Sequence, residues 1–333
     1  MKIAIITCMK NEGPFIVEWV AYNRLIGVTD FLIYTNDCTD GTVNLLDALA
    51  ASGIVQRVDN PAKEGQPFQM VALKAAPSEP VVKTSDWIYV CDVDEFLDIR
   101  VGAGRIEDLV TICGDPHAIS VTMRMMANGG IAQYQDTPVI DQFTLSHDPE
   151  QWGHHTAIEV KTLTRADFPL KFFGAHRPFV KAGRDRGQSP VVWTDGSGRQ
   201  VPDAFIDVTT NRRKHRFPAK GASNFASLNH YTLRSLDSYL VKSERGDVNR
   251  AFRAFQTDYW IARNDDSFSE TRLQRRVPEL LVEMEKLFNL PGVRTAHKDC
   301  VAVHKQTAER LKQTPEYGDL REQLIAVSPA LQG

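Results

Sequence analysis

The sequence predicts an α/β fold: a doubly wound, mostly parallel sheet with flanking helices, followed by a C-terminal helical region. Three observations predict it. Short, continuously apolar runs alternate with helix-length segments over about the first hundred residues. Two acidic, turn-rich loops, Asn36–Asp40 and Asp92–Glu95, directly follow two of those runs. From Ser235 onward the pattern becomes helical.

Ile3–Thr7 reads as a strand covered on both faces. Lys10-Asn11-Glu12-Gly13-Pro14 breaks it, and Pro14 opens a helix with Ile16, Val17, Trp19, Val20 and Leu25 on or near one face. Gly27 ends that helix and Phe31–Thr35 forms a second strand. The loop Asn36-Asp37-Cys38-Thr39-Asp40-Gly41-Thr42 leads into a helix over Val43–Ala51, closed by Gly53. Ile54–Val58 is a third strand, Pro67–Ala76 a helix, and Trp87–Val90 a fourth strand running into Cys91-Asp92-Val93-Asp94-Glu95-Phe96-Leu97. This succession implies right-handed crossovers. Ligands sit at the carboxyl ends of such strands, where both acidic loops fall.

The pattern then changes. His117–Met125 is a strand, followed by Gly-, Pro- and Asp-rich stretches and short strands around Ile158–Leu163 and Val191–Thr194. Long loops of this kind often build active-site walls. Helices are expected at Leu236–Lys242, Arg250–Arg263, Glu279–Phe288, His304–Leu311 and Leu320–Ile325. No internal repeat or low-complexity segment interrupts the chain.

Composition narrows the function classes. The 333 residues are 42% hydrophobic and 24% charged, with a net charge of −3. That is ordinary for a soluble enzyme-sized chain and gives no broad nucleic-acid or membrane footprint. The basic run Arg212–Arg216 is isolated and reads as a solvated loop, with peripheral membrane contact as its one further use. Apolar stretches fall short of the ~20 residues of a membrane span, and Met1–Ile6 is too short for a signal h-region. Five cysteines without C-x-x-C spacing argue for a reducing, cytoplasmic location rather than a disulfide framework or zinc knuckle. Neither G-x-S-x-G, nor G-x-x-x-x-G-K-[ST], nor a G-x-G-x-x-G after the first strand is present.

Asp92-Val93-Asp94 is where chemistry first shows. Two carboxylates at a strand-end turn suit magnesium or manganese with positions left open for phosphate oxygens. Taken alone, the same residues could be a helix cap or a solvated turn. Order and distance make the pattern specific: Lys10-Asn11-Glu12, Glu18-Trp19, Asn36 to Thr42, then Asp92-Val93-Asp94-Glu95-Phe96. Together these resemble the nucleotide-sugar half of GT-A fold glycosyltransferases, in the family-2-like group and its relatives in family 92. Leu228-Asn229-His230-Tyr231, Ser235, Lys242, Arg245 and Gly246 resemble the H-Y-x-x-x-S…K-x-x-R-G signature of that group.

The resemblance implies a GT-A, Rossmann-like domain with a donor half at 1–116 and an acceptor-side half at 117–234, plus a helical region at 235–333. It implies that Thr7, Cys8 and Asn11 bracket the nucleobase. Asn36, where many relatives carry Asp, would contact base or ribose, and Glu12 would cap or brace its loop. Asp40 reads as the cap of the following helix. Asp92 is expected near ribose and metal, Asp94 and His230 as metal ligands, and Lys242 and Arg245 as clamps on the leaving diphosphate. Manganese or magnesium would then act as a Lewis acid on that group.

An inverting enzyme also needs a proton acceptor at the acceptor hydroxyl. His154, His155, Glu159, His176 and Asp195 are candidates, with His176 in Gly174-Ala175-His176-Arg177-Pro178 set to line the site. Glu95 is base or brace, and brace is favoured. Trp19, Trp87, Phe96 and Phe143 read as core, as does Cys91, whereas Trp152 and Trp193 could stack on a sugar. The expectation is a metal-dependent glycosyltransferase moving a sugar from a nucleoside-diphosphate sugar, UDP favoured, to a glycan or other hydroxyl acceptor. A nucleotidyltransferase or phosphotransferase, and a non-catalytic sugar-nucleotide or glycan-binding protein, stay as alternatives. The last is favoured if Asp92, Asp94 and His230 cannot share one metal.

Overall fold

The computed structural model describes residues 1–63, 65–149, 159–181, 191–207, 217–246 and 256–332. Its strands are β1 (Ile3–Met9), β2 (Asp30–Thr35), β3 (Gln56–Asp59), β4 (Trp87–Val90), β5 (Glu95–Ile99), β6 (Ala118–Met125), β7 (Leu145–Ser146), β8 (Val160–Arg165), β9 (Leu170–Phe173), β10 (Pro178–Val180), β11 (Trp193–Asp195), β12 (Ala226–His230) and β13 (Phe268–Ser269). Helices α1 (Ile16–Leu25), α2 (Thr42–Ala51), α3 (Phe68–Ala75), α4 (Pro80–Lys83) and α5 (Ile106–Ile112) belong to the first part. Short helices α6 (Val139–Gln142) and α7 (Asp203–Ile206) follow, then α8 (Leu236–Arg245), α9 (Thr257–Ile261), α10 (Val277–Phe288), α11 (Val293–Lys312) and α12 (Pro315–Ala326).

The expected α/β class is found. One sheet runs in the order β3-β2-β1-β4-β8-β6-β12-β5, with β11 alongside β6. The strands β3, β2, β1 and β4 are mutually parallel, so their carboxyl ends lie along one edge. β8 is antiparallel to both β4 and β6. It therefore begins where β4 ends, with Tyr89 opposite Leu163. β12 is parallel to β6, and β5 returns antiparallel to β12 with His230 opposite Glu95.

Two strands of the main sheet, β5 and β12, are not visible in the sequence. β5 follows the Asp92–Asp94 turn with no breaker, and its interior Asp98 masks the apolar pattern. Asp98 is 1% exposed and held by Arg100 at 2.5 Å and Arg275 at 3.0 Å. β12 is Ala-Ser-Leu-Asn-His, a poor strand former by composition, and is fixed by its two sheet neighbours.

The helices also run beyond expectation. α1 was read as one-sided, but Ile16 to Asn23 are all buried, because α10 covers the face turned away from the sheet. The helix expected at His304–Leu311 is part of the longer α11, which packs on α2, α8 and the short helical turn Gly13–Phe15. The expected helix at Arg250–Arg263 lies partly outside the described residues, and Thr257–Ile261 is its described portion. Trp19, Trp87, Phe96, Phe143 and Cys91 are buried, as read. Trp193 corrects the stacking expectation: it is 0% exposed, donates Nε1–H to Ser120 Oγ at 2.9 Å and packs under Arg177. Trp152 and the run Arg212–Arg216 lie outside the described residues. Among the described residues, no helix is long and apolar enough to cross a membrane.

Gly13 marks where α11 meets the loop after β1. A Cβ there would lie 2.4 Å from Cys300 Sγ and 2.7 Å from Cys300 Cβ. Gly13→Ala should therefore cost about 1–3 kcal/mol by overpacking, read by denaturant unfolding. Cys300→Ala in the same chain should return part of that loss.

Candidate active site

Asn11, at φ 51°, turns the chain after β1 and stitches it to the loop after β2. Its side chain accepts from Thr39 N at 2.8 Å and donates to Thr39 Oγ1 at 3.1 Å. Asp40 accepts from Thr42 N at 2.9 Å and from Gly13 N at 3.0 Å, so its carboxylate ties the two loops, but the cap position of α2 is Gly41 and the cap reading is corrected to that extent.

Glu12 is buried between two guanidinium groups, Arg234 at 2.9 Å and Arg245. Burial alone would raise its pKa, but the two arginines prevail and hold it below the ordinary value. Arg245 also donates to Lys10 O at 2.8 Å. This corrects the diphosphate-clamp expectation: Arg245 is 7% exposed in its side chain and secures the loop after β1.

At the carboxyl end of β4 the chain presents Asp92, Asp94 and Glu95. Asp92 pairs with Lys161 at 2.8 Å and accepts from Gln69 Nε2 at 3.2 Å. Lys161, 1% exposed at the start of β8, also pairs with Glu95 at 3.0 Å. Glu95 in turn accepts from Asp92 N at 2.9 Å, which is the geometry of a brace. Its carboxyl is pushed up to about 7 by burial, against the pull of Lys161.

Asp94 is held by Lys242 at 2.9 Å and faces His230 Nε2 at 3.3 Å. Burial would raise its pKa, yet Lys242 and His230 hold it well below the ordinary value. Burial lowers the pKa of His230, and Asp94 more than reverses that. Lys242 also donates to the carbonyl and the hydroxyl of Thr232, each at 2.9 Å.

The expected metal set is not assembled. Asp94 and His230 meet, but Asp92 turns to Lys161 and Gln69, and each carboxylate of the motif already has an ammonium at 2.8 or 2.9 Å. Among the described residues, no three His, Cys, Asp or Glu side chains stand where they could hold one metal ion. The donor set as built does not fit a shared divalent ion.

Along the edge formed by β1 and β2, Thr7 and Asn36 are buried. Asn36 Oδ1 accepts from Cys8 Sγ at 3.4 Å, and Asn60 Nδ2 donates to Cys8 Sγ at 3.3 Å. Burial pushes the Cys8 thiol up to about 12, so it lines the crevice as an unreactive wall. Among the described residues, Asn36 Nδ2 and Thr7 Oγ1 are buried without a protein partner.

His176 is half-buried with Nδ1 3.1 Å from Val160 O. A carbonyl only accepts, so Nδ1 carries the proton and Nε2 is left as an acceptor. Burial, then Lys161, lower its pKa. Asp195 is a turn carboxylate bound by Ser197 N, Arg199 N and Arg199 Nε, which removes it as a base. Glu159 precedes β8 and raises the pKa of His176, while His154 and His155 lie outside the described residues.

Sequence reasoning missed Lys161, Arg234 and Gln69. For Lys161 a signal existed: a lone lysine inside a strand otherwise read as buried calls for a partner carboxylate. Lys161→Met should cost about 3–5 kcal/mol by leaving Asp92 and Glu95 uncompensated. Glu95 binds its proton more tightly folded than at its ordinary 4.5, so this site's stability falls as pH rises toward 7. The lysine's loss should therefore be felt more at pH 8 than at pH 5 in denaturant unfolding, and Glu95→Gln should narrow the difference.

Residues 4–167 match the model of glycosyltransferase family 92. A glycosyltransferase family 92 protein of Oryza sativa subsp. japonica is 32% identical over 99 residues, 29% of this chain and 16% of the relative. One of Ricinus communis is 31% identical over 112 residues, 33% of this chain and 19% of the relative. The chain thus spans less than a fifth of the length of either relative. Among solved structures, S. aureus TarS 1-349 is similar with a TM-score of 0.31 and 11% identity, covering 94% of this chain and 92% of that one. Glucosyl-3-phosphoglycerate synthase from Mycobacterium tuberculosis has a TM-score of 0.31 and 17% identity, covering 50% of this chain and 58% of that one. Across residues 4–167, which take in both acidic loops and Lys161, this chain carries the sequence pattern of glycosyltransferase family 92.

Proposed function

We propose that this protein is a glycosyltransferase that takes a sugar from a nucleoside-diphosphate sugar and passes it to an acceptor hydroxyl. The observation that carries the reading is the crevice at the carboxyl ends of β1, β2 and β4. There Asp94 is fixed between His230 and Lys242, beside the loops of Asn11 and Asn36. A UDP-sugar is the first candidate, on the resemblance to the family-2-like group. Thr7, Cys8 and Asn36 line the place for the base, with Asn36 Nδ2 and Thr7 Oγ1 offering unspent hydrogen bonds.

In this reading Lys242 faces the diphosphate, where charge builds as the glycosidic bond breaks. His176 offers a neutral imidazole with Nε2 open to take the acceptor's proton. Glu95 and Lys161 keep Asp92 in place, and Arg234 and Arg245 keep the loop after β1 in place. Inversion at the sugar carbon follows the resemblance. The acceptor is a glycan or another hydroxyl compound.

A second reading is a sugar-nucleotide or glycan-binding protein without turnover. The observation favouring it is that Asp92, Asp94 and His230 do not converge on one ion.

Calorimetric titration of UDP and GDP, then turnover of the matching sugar nucleotides, separates the two. One nucleotide should bind, Asp94→Ala should weaken it, and Asp94→Asn should slow turnover by about 10²–10³. Binding with no turnover of any sugar nucleotide would leave the second reading standing.

A further inference from the structure

We infer that Lys242 is the resident cation of the donor site: its ammonium stands in for a divalent ion, and donor binding needs no metal. The inference rests on the donor site proposed above. Its ground is the charge balance of the crevice. Among the described residues the carboxylates of the crevice already have cationic partners: Arg234 and Arg245 hold Glu12, Lys161 is shared by Asp92 and Glu95, and Lys242 holds Asp94. A site that gathers a divalent ion leaves its carboxylates in excess. Here each of the two motif carboxylates, Asp92 and Asp94, is already in contact with an ammonium.

Geometry carries the argument further. Lys161 is 1% exposed and held by two carboxylates, so it cannot withdraw from Asp92. Lys242 reaches Asp94 from α8, on the other side of the motif, and its side chain is 14% exposed. An ion seeking Asp94 would have to lie next to that ammonium, and two like charges a few ångströms apart in a half-buried crevice repel strongly. A diphosphate meets the opposite situation. Lys242 donates to Asp94 Oδ2, Thr232 O and Thr232 Oγ1. A phosphate oxygen can replace the neutral Thr232 hydroxyl, because a charge-assisted bond is stronger than a neutral one. Asp94 and the Thr232 carbonyl would go on aiming the ammonium. The role of Asp94 becomes that of a positioning residue for Lys242.

The test is calorimetric titration of UDP and of GDP in EDTA and in manganese, with wild type, Lys242→Met and Lys242→Arg. The expected result is wild-type binding in EDTA that manganese changes by less than about threefold. Lys242→Met should weaken binding in EDTA by about tenfold or more, and Lys242→Arg should recover most of it. Wild-type binding that manganese strengthens by about tenfold or more overturns the inference and leaves the proposed donor site standing. An unchanged Lys242→Met affinity overturns it as well. If neither nucleotide binds in either condition, the inference and the proposed function fall together. Thermal melting of each variant checks folding, and should Lys242→Met not fold, the wild-type comparison in EDTA still decides.

Discussion

Buried charge, and the need to neutralise it, governs the rest of this molecule. Glu95 is almost fully enclosed and Glu12 and Asp94 nearly so, in an environment where an unpaired carboxylate is very costly. Each is met by a cation from a distant part of the chain: Arg234 and Arg245 for Glu12, Lys161 for Glu95, Lys242 for Asp94. Such pairs add little net stability over apolar packing, but losing one partner is severe. They therefore act as registration marks. The crevice closes only when β8, β12 and α8 have reached their places against β1 and β4.

That dependence explains why the sheet is mixed. The parallel strands β3, β2, β1 and β4 bring the loops of Asn11, Asn36 and Asp92 to one edge. The cations that hold their carboxylates come from other parts of the chain. Antiparallel β8 starts beside the end of β4 and delivers Lys161 directly. The antiparallel pairing of β12 with β5 does the same for His230, whose neighbour Tyr231 donates its N–H to Asp94 O at 2.8 Å. The C-terminal helices supply the last side: α8 carries Lys242 and Arg245, and α11 wedges against Gly13.

The match to glycosyltransferase family 92 ends at residue 167, so it takes in Asp92, Asp94, Glu95 and Lys161 but not His230, Lys242 or Arg245. The half of the site that supplies Lys242 thus lies beyond the matched stretch. Its role rests on the contacts made by α8 and on the H-Y-x-x-x-S…K-x-x-R-G pattern.

Local signals determined a good deal. Apolar runs bounded by Gly, Pro and Asn placed β1, β2, β4 and β6 within a few residues, because strands buried on both faces are continuously apolar. The Asp92–Glu95 turn stood out through its order and distance from Lys10–Glu12 and Asn36–Thr42, since two carboxylates at a strand end could by themselves be a cap or a solvated turn. Long-range pairing determined the rest. β5 and β12 owe their structure to sheet neighbours rather than to their own composition, and α1 is buried all round only because α10 folds over it. The sequence could name Arg245 as a cation near the site, but only the fold shows that Glu12 and the Lys10 carbonyl claim it. It could name Asp92, Asp94 and His230 as possible ligands of one ion, but the partner of a charge is set by distance. Lys161 is 69 residues from Asp92 and Lys242 is 148 from Asp94, and tertiary structure alone brings each ammonium within hydrogen-bonding reach of its carboxylate.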